Sequence, residues 1–476
     1  MPAPGTRRDF LHRCLLAGAA LAQGQKLERR GPPKKVLIVG AGLAGLVAAY
    51  ELVEGGHEAT ILEAQLRPGG RVLTLRESFS DGLFAEAGAA RIPDTHQLTL
   101  DYARRFELPL APFYPAQFAS LSSVRGQRVQ SRPGEKVRWP LDLTPEEQGL
   151  GVPGLRQKYI FPVLKEIGDP RLPGWPPASL EKYNRVTFYD FLRQRGASPD
   201  AQALLTLGLG MDTVSALYLL RDMAFDQGSR QFFKIQDGND RLPRAFASRL
   251  AGRIRYGTPV TRIERDERGV RAVFLQAGAP ETIAGDYLIC AVPFSVFRRI
   301  EVAPPFSPEK RRAIDELPYN SIARIFLQTR NRFWTRQGLS GYGLTDHPME
   351  IWAPAFDQPG ERGILLCYIR GALARGVTAM AEPERIRYGL AELERLFPGL
   401  RENLEGGASK CWDQDEWSRG AAAEFHSGQM TALLPHVSRP EGRVFFAGEH
   451  ASARPGWMQG ALESGVAAAR EINQAG

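Results

Sequence analysis

The stretch KKVLIVGAGLAGLVAAYELVEGGHEATILEA, Lys34 to Ala64, limits the possible folds more than any other part of the chain. VLIV is an apolar run of the kind that forms a buried strand. Gly40-x-Gly42-x-x-Gly45 follows at once, with Ala44 inside it, and then the helical run LVAAYEL. A second strand, HEATILEA, carries Glu63 and Ala64 at its end. The three glycines serve separately for a tight turn, a close backbone approach to a pyrophosphate, and close packing of helix on strand. The helix N-terminus offers free N–H groups and a positive dipole end to the phosphates. Glu63 lies about 20 residues on, where a carboxylate accepts from a ribose hydroxyl. Strand, glycine turn, helix, strand and acid in that order predict an α/β domain of the Rossmann type with a bound dinucleotide.

Composition bounds the remainder. The 476 residues are 43% hydrophobic and 24% charged, enough for two or three domains with substantial cores. The net charge of +8 is spread along the chain. No basic cluster carries interleaved aromatics, so a nucleic-acid partner is not expected. A diffuse positive field suits anionic or zwitterionic small molecules instead. Cys14, Cys290, Cys367 and Cys411 form no CxxC pair, and the seven histidines show no ligand spacing, so no metal site is expected. Cys290 and Cys367 lie in apolar runs and read as buried free thiols.

The N-terminus reads as an address. TRRDFL, Thr6 to Leu11, precedes the apolar run CLLAGAALA, which ends in Ala20-Leu21-Ala22. This resembles a bacterial twin-arginine-type export signal over residues 1–22, which implies a periplasmic or secreted protein. Without that signal the chain would stay cytoplasmic. The run is too short to span a bilayer, and no integral membrane span is expected elsewhere.

LRPGGRVLT, Leu66 to Thr74, brings Gly70 and Arg71 directly after the ribose acid. It resembles the second flavin motif of the FAD-dependent amine oxidase superfamily, whose arginine contacts the cofactor phosphate. RVFFAGEHASARPGWMQGALESGVAAAREI, Arg443 to Ile472, resembles the segment that closes the FAD site there. The resemblance implies that Glu449 meets ribose or ribityl hydroxyls. It also implies that the last helix, entered through Trp457 and Met458, turns its N-terminus toward the pyrimidine end of the flavin. YGTPVTRIERD resembles the strand pair whose Val260 backbone holds the adenine. DYLICAVPFSVFRRI resembles the strand before the crossover into a second domain.

AEAGAARIP, Ala85 to Pro93, narrows the resemblance to the L-amino-acid oxidase subgroup of the flavin monoamine oxidase family. In that subgroup Gly88, Ala89 and Ala90 pass close to the isoalloxazine and Arg91 binds the substrate carboxylate, a bidentate contact that suits guanidinium. By the same resemblance Tyr368, in GILLCYIRGA, gives the carboxylate a second hydrogen bond. Gly456, in RPGWMQG, accepts from the substrate amine through its carbonyl, and Trp457 flanks the flavin. The implied reaction moves a hydride from Cα to flavin N5. It yields a 2-oxo acid and ammonia, and dioxygen becomes hydrogen peroxide.

Two positions depart from the pattern. Arg324 stands where the family usually has a lysine linked to oxygen reactivity. That leaves an amino-acid dehydrogenase with another electron acceptor open. Ala421 and Ala422 replace the flavin-bonding cysteine of monoamine oxidases and the aromatic after it, so FAD is expected to be non-covalent. A tryptophan-monooxygenase-like enzyme, an oxidase of amines without a carboxylate, and a flavin-loaded binding protein stay open as well.

The expected architecture is a discontinuous FAD-binding domain (34–94, 234–295 and 405–476), a mainly helical domain (95–233) and a mixed-sheet substrate domain (296–404). A homodimer remains open. Side-chain specificity is expected in the helical domain and near Trp352. Asp212, Asp222, Asp226 and Glu350 could each face a cationic substrate side chain, although charged residues of this kind are mostly solvated.

Overall fold

The computed structural model describes residues 27–475, apart from 116, 133, 173 and 211. The export-signal reading and Cys14 lie outside the described residues.

The nucleotide-type unit is a five-stranded parallel sheet, in the order Ile254–Tyr256, Glu58–Glu63, Lys35–Val39, Tyr287–Cys290 and Val444–Phe446. Distant stretches of chain thus meet in one sheet. The central strand is VLIV, buried at every position after Lys35. Being covered on both faces, it reads as continuous apolar sequence rather than as an alternation. Helix Leu43–Glu54 covers one face, and helix Met458–Gln474 packs along it. Gly465 sets that approach. A Cβ there would lie 2.3 Å from the Ala44 carbonyl oxygen and 2.5 Å from Val47 Cγ1. A meander of Val260–Arg265, Val270–Gln276 and Ala279–Gly285 lies beside this unit. Cys290 and Cys367 are buried free thiols, as their apolar runs suggest.

The second sheet runs Gly343–Leu344, Met349–Trp352, Gly363–Arg370, Ile322–Thr329 and Leu404–Cys411, each pair antiparallel. The sheet is therefore antiparallel where a mixed one is expected; isolated parallel bridges from Ala119 to Leu339 and from Ser123 to Thr345 lie outside its strands. Every residue of Ile322–Thr329 and Gly363–Arg370 is buried. Helix Glu382–Leu396 backs the sheet, and Gly389 lets it press on Ile325. Register decides what faces forward. Glu350 pairs with Tyr368, Tyr368 with Arg324, and Arg324 with Lys410, so one rung carries four polar side chains.

The region between the units holds helices Pro145–Tyr159, Phe161–Ile167, Phe188–Gln194, Pro199–Leu205 and Ala216–Phe225. Apolar spacing predicts mainly helix here, yet Leu110–Pro112, Ser120–Val124 and Gln127–Ser131 are strands. Short edge hairpins carry little periodicity, because most of their stability comes from the sheet they join. The apolar run ALLTLGLGMDTVSALYLLRDMAF is shared between helices Pro199–Leu205 and Ala216–Phe225. Gly208 and Gly210, at φ 75° and 57°, break it. Ser215 caps the second helix by accepting from the Leu217 N–H.

Replacing Gly465 by alanine is expected to force the two long helices apart and cost about 1–3 kcal/mol, as overpacking does. Gly376, in an exposed helix position where a Cβ meets nothing within 4 Å, is the control. Thermal melts should show a lowered midpoint for Gly465→Ala and none of that loss for Gly376→Ala; equal midpoints would mean that the helix contact is not set by Gly465.

Candidate cofactor and substrate site

Two adjoining cavities, of about 80 and 250 Å³, share Gly42, Arg71 and Ala291 in their walls. The smaller lies at the ends of the parallel strands. Gly40, Gly42, Glu63, Ala64, Gly70, Arg71 and Val260 line it, together with Trp417 and Ser418. Gly40 takes φ 102°, a conformation that favours glycine. Gly45 lines neither cavity and acts by packing: a Cβ there would sit 2.0 Å from the Gly40 carbonyl oxygen. Glu63 is buried and accepts from the Ala41 N–H (2.5 Å) and the Gln65 N–H (2.8 Å). Burial raises its pKa against the pull of those two donors. A buried carboxylate at the end of the second strand, beside a glycine turn with no side chains, fits an adenosine ribose and a pyrophosphate.

The larger cavity has four walls. The first is the small-residue run Gly88, Ala89 and Ala90, ending in Arg91. Gly88 is obligatory, because a Cβ would fall 1.9 Å from the Arg71 carbonyl oxygen. The second wall is the forward face of the antiparallel sheet: Ile322, Arg324, Trp352, Tyr368 and Arg370. Glu449, Gly456, Trp457 and Met458 form the third, with Ala421 and Ala422 beside them. Helix Ala216–Phe225 supplies the fourth through Tyr218, Leu219 and Asp222.

Glu449 organises the third wall. It accepts from Arg71 Nη1 (2.6 Å), the Gly456 N–H (2.7 Å) and the Ala423 N–H (3.2 Å). Burial alone would raise its pKa, but Arg71 and these neighbours hold it below the usual carboxylate value. The Arg71 guanidinium also donates to the Ala421 carbonyl (3.0 Å), so it ties two walls together before any phosphate contact. Ala421 and Ala422 leave this wall without a thiol, and no cysteine lines either cavity among the described residues.

The sheet wall is strongly cationic. Arg91 Nη1 donates to Glu350 Oε2 and to the Tyr114 hydroxyl, each at 3.2 Å. Arg370 donates to the other oxygen of Glu350, and Trp352 Nε1 donates to Glu350 at 2.8 Å. Burial pushes the Glu350 carboxyl up, but Arg370 and Arg91 outweigh it and bring it down to about 2. Arg324 donates from Nη1 to the Glu86 carbonyl (2.5 Å), while its buried Nε has no partner. Its guanidinium carbon lies 5.1 Å from the Trp352 ring centre and 4.7 Å from that of Tyr368. Arg370 lies 4.4 Å from the Tyr368 ring and Arg91 5.0 Å from Trp352. Burial would raise the Tyr368 pKa, yet the three arginines together lower it. Three guanidiniums thus surround two aromatic rings with one carboxylate among them.

The four acids set out as candidates for a cationic side chain separate here. Glu350 is committed to Arg91 and Arg370 and is not free for a substrate cation. Asp212 lines a different cavity, with Arg375 and Glu424. Asp226 lies behind the wall, 3.5 Å from Arg454. Asp222 alone of the four lines the main cavity. Sequence reasoning missed Arg370 and the binding of Glu350 to Arg91. Their partnership depends on sheet register between strands far apart in the chain, and only the even spacing of Tyr368 and Arg370 in GILLCYIR hinted that the two share a face.

Comparison with known proteins agrees with this geometry. The family model described as flavin containing amine oxidoreductase matches residues 43–473. A Bacillus subtilis (strain 168) protein carrying the name "Putative L-amino-acid oxidase YobN" is 36% identical over 459 residues, 93% of this chain and 95% of its own. The L-amino-acid oxidase of Demansia vestigiata is 28% identical over 462 residues, 94% of this chain and 88% of its own. Among solved structures, putrescine oxidase bound to putrescine superposes with a TM-score of 0.80 at 21% identity, covering 93% of this chain and 99% of that one. Cyclohexylamine oxidase from Brevibacterium oxydans IH-35A gives the same TM-score and coverage at 22% identity. The shared fold, the glycine cradle with its buried acid, and a family match over most of the sequence place the chain in the flavin containing amine oxidoreductase family, with FAD as its cofactor.

Proposed function

We propose that the protein is an L-amino-acid oxidase, converting L-amino acids to 2-oxo acids, ammonia and hydrogen peroxide. The observation that carries this reading is Arg91. It sits in the cavity wall with its side chain 21% exposed, and both of its hydrogen bonds among the described residues leave from Nη1. The rest of the planar fork can meet a carboxylate. Tyr368, one rung partner of Glu350, lies in the same wall. An oxidase of simple amines has no use for this charge. The curated relatives cited above are named as L-amino-acid oxidases, which supports the same substrate class.

FAD, when bound, supplies the two-electron acceptor. The chain then has to position the substrate and exclude water. Arg91 and Tyr368 would hold the carboxylate. The Gly456 carbonyl would accept from the amine, and Trp457 would close the far side. Arg324 would bring a permanent positive charge to the reacting end. Fixing two groups of the substrate in this way supplies much of the rate that orientation can give. FAD would be held without a covalent bond. The twin-arginine-type segment supports export of the folded protein. Among the described residues no helix is long and apolar enough to cross a membrane.

The first test is spectroscopic. The yellow protein should be bleached by L-amino acids under anaerobic conditions, but not by D-isomers or by the corresponding amines, and should recolour in air with release of peroxide. Bleaching by amines alone would overturn the proposal, and slow recolouring without peroxide would make the protein a dehydrogenase. Arg91→Ala should retain FAD and lose roughly 10²- to 10³-fold or more in kcat/KM, since breaking a buried ion-paired contact costs about 3–5 kcal/mol. An unchanged value would remove Arg91 from the site.

Glu350→Gln tests the wall itself. The folded-state pKa of Glu350, about 2, lies below its ordinary value of 4.5. The pair therefore contributes stability that is complete above the ordinary value and is lost as pH falls toward the lower one. Thermal midpoints of the variant should be lower near neutral pH and should fall less than wild type between about pH 5 and about pH 3. Parallel curves would show that folding does not shift the Glu350 pKa and that its contacts with Arg91 and Arg370 do not hold it charged.

A further inference from the structure

We propose that Asp222 forms a subsite for a cationic side chain, so that the preferred substrates are basic L-amino acids. The inference rests on the L-amino-acid reading above and extends it to the side chain.

The cavity is electrically two-ended. Its sheet wall carries Arg91, Arg324 and Arg370 against Glu350. Its helix wall has the opposite balance. Asp222 lines the cavity with its side chain 25% exposed. Behind it, Asp226 and Glu463 share Arg454, at 3.5 and 3.8 Å. His96, 4.0 Å from Asp226, adds no charge, because burial holds its pKa near 3. Asp222, Asp226 and Glu463 thus face Arg221 and Arg454, with Arg171 acting on Glu463 and Asp94 on Asp226 from further out.

The compensation of Asp222 is incomplete. Arg221 donates to Oδ1 from Nη2 at 3.1 Å, and its guanidinium carbon rests 4.7 Å from the Tyr218 ring. Arg454 and Trp457 also favour the charged form. Burial still outweighs them and raises the Asp222 pKa. A partly desolvated carboxylate that lines the cavity and holds one guanidinium at 3.1 Å gains from an incoming cation. A lysine- or arginine-like substrate carries its negative group at one end and its positive group at the other, matching the two walls. A neutral side chain would leave Asp222 desolvated and unanswered, which is how buried polar groups reject analogues.

The test has a binding arm and a turnover arm, both on FAD-loaded protein. In the first, 6-aminohexanoate and hexanoate are titrated against the flavin spectrum. Both present a carboxylate to Arg91, and only the first carries a terminal cation. The amino compound should bind at least tenfold more tightly, and Asp222→Asn should erase the difference. In the second, kcat/KM for L-lysine and L-arginine should exceed that for L-norleucine by tenfold or more, and the variant should lower that ratio tenfold. The wild-type ratios stand even if the variant does not fold. Equal binding of the two acids together with equal use of basic and neutral amino acids would overturn the subsite and leave the oxidase reading intact. A uniform loss on all amino acids, with a displaced pH profile, would make Asp222 a proton acceptor and overturn it as well. Flavin that no L-amino acid bleaches would overturn the oxidase reading, and the subsite with it.

Discussion

The carboxylate of Glu350 is the group on which the substrate wall depends. Arg91, Arg324 and Arg370 crowd around Trp352 and Tyr368, and like charges gathered in a buried wall repel one another. Glu350 bridges two of them and takes a third hydrogen bond from Trp352. It thereby makes the cluster tolerable without neutralising it. Glu86 offers Arg324 its backbone carbonyl, and burial moves its own carboxyl up to about 7. Its help is therefore partial. The surplus positive charge stays in the cavity wall, where it would favour an anionic group.

This arrangement also explains why the two sheets must meet where they do. Arg324 belongs to the antiparallel sheet and Glu86 to the segment that leads into the small-residue run. Lys234 reaches Asp357 and the Pro354 carbonyl from the other direction. Arg71 and Glu449 join the turn after the second parallel strand to the loop before the last helix. Each pair spans stretches of chain that are remote in sequence, and each is at least half buried at one end. Such contacts contribute little to folding beyond an apolar alternative. Their value lies in fixing the distance between the cofactor end and the substrate end.

The cofactor end is legible in the sequence because its determinants are local. A glycine turn, the helix after it and the acid at the next strand end fall within a few dozen residues, and every step follows from backbone geometry. The far end of the cavity is legible only where a resemblance points to it, at Arg91, Tyr368 and Trp457, all of which line it. Nothing local in AEAGAARIP says that the arginine will face Glu350, because that contact depends on the register of Met349–Trp352 against Gly363–Arg370. The hairpin at Ser120–Val124 is invisible for a similar reason, since its strands take their order from the sheet edge they join. Asp222 cannot be told from its solvated neighbours until the helix carrying it is seen to turn one face to the cavity. Periodicity gives a helix two faces but does not say what lies opposite either of them.

Arg324 follows from the same physics. A lysine at this position would be a compact, strongly hydrated charge, and burial would draw its pKa down toward the working range. Burial lowers the Arg324 pKa too, but guanidinium starts so high that it stays charged. Its flat, delocalised ion can lie against both Trp352 and Tyr368, which an ammonium cannot do as well. The substitution therefore trades a titratable group for a fixed one. In a wall whose three guanidiniums meet a single carboxylate, a fixed cation would keep the pull on an anionic group from varying with pH as a titrating lysine would. It also leaves the buried Nε without a partner, so the position carries the cost of an unsatisfied donor along with the fixed charge.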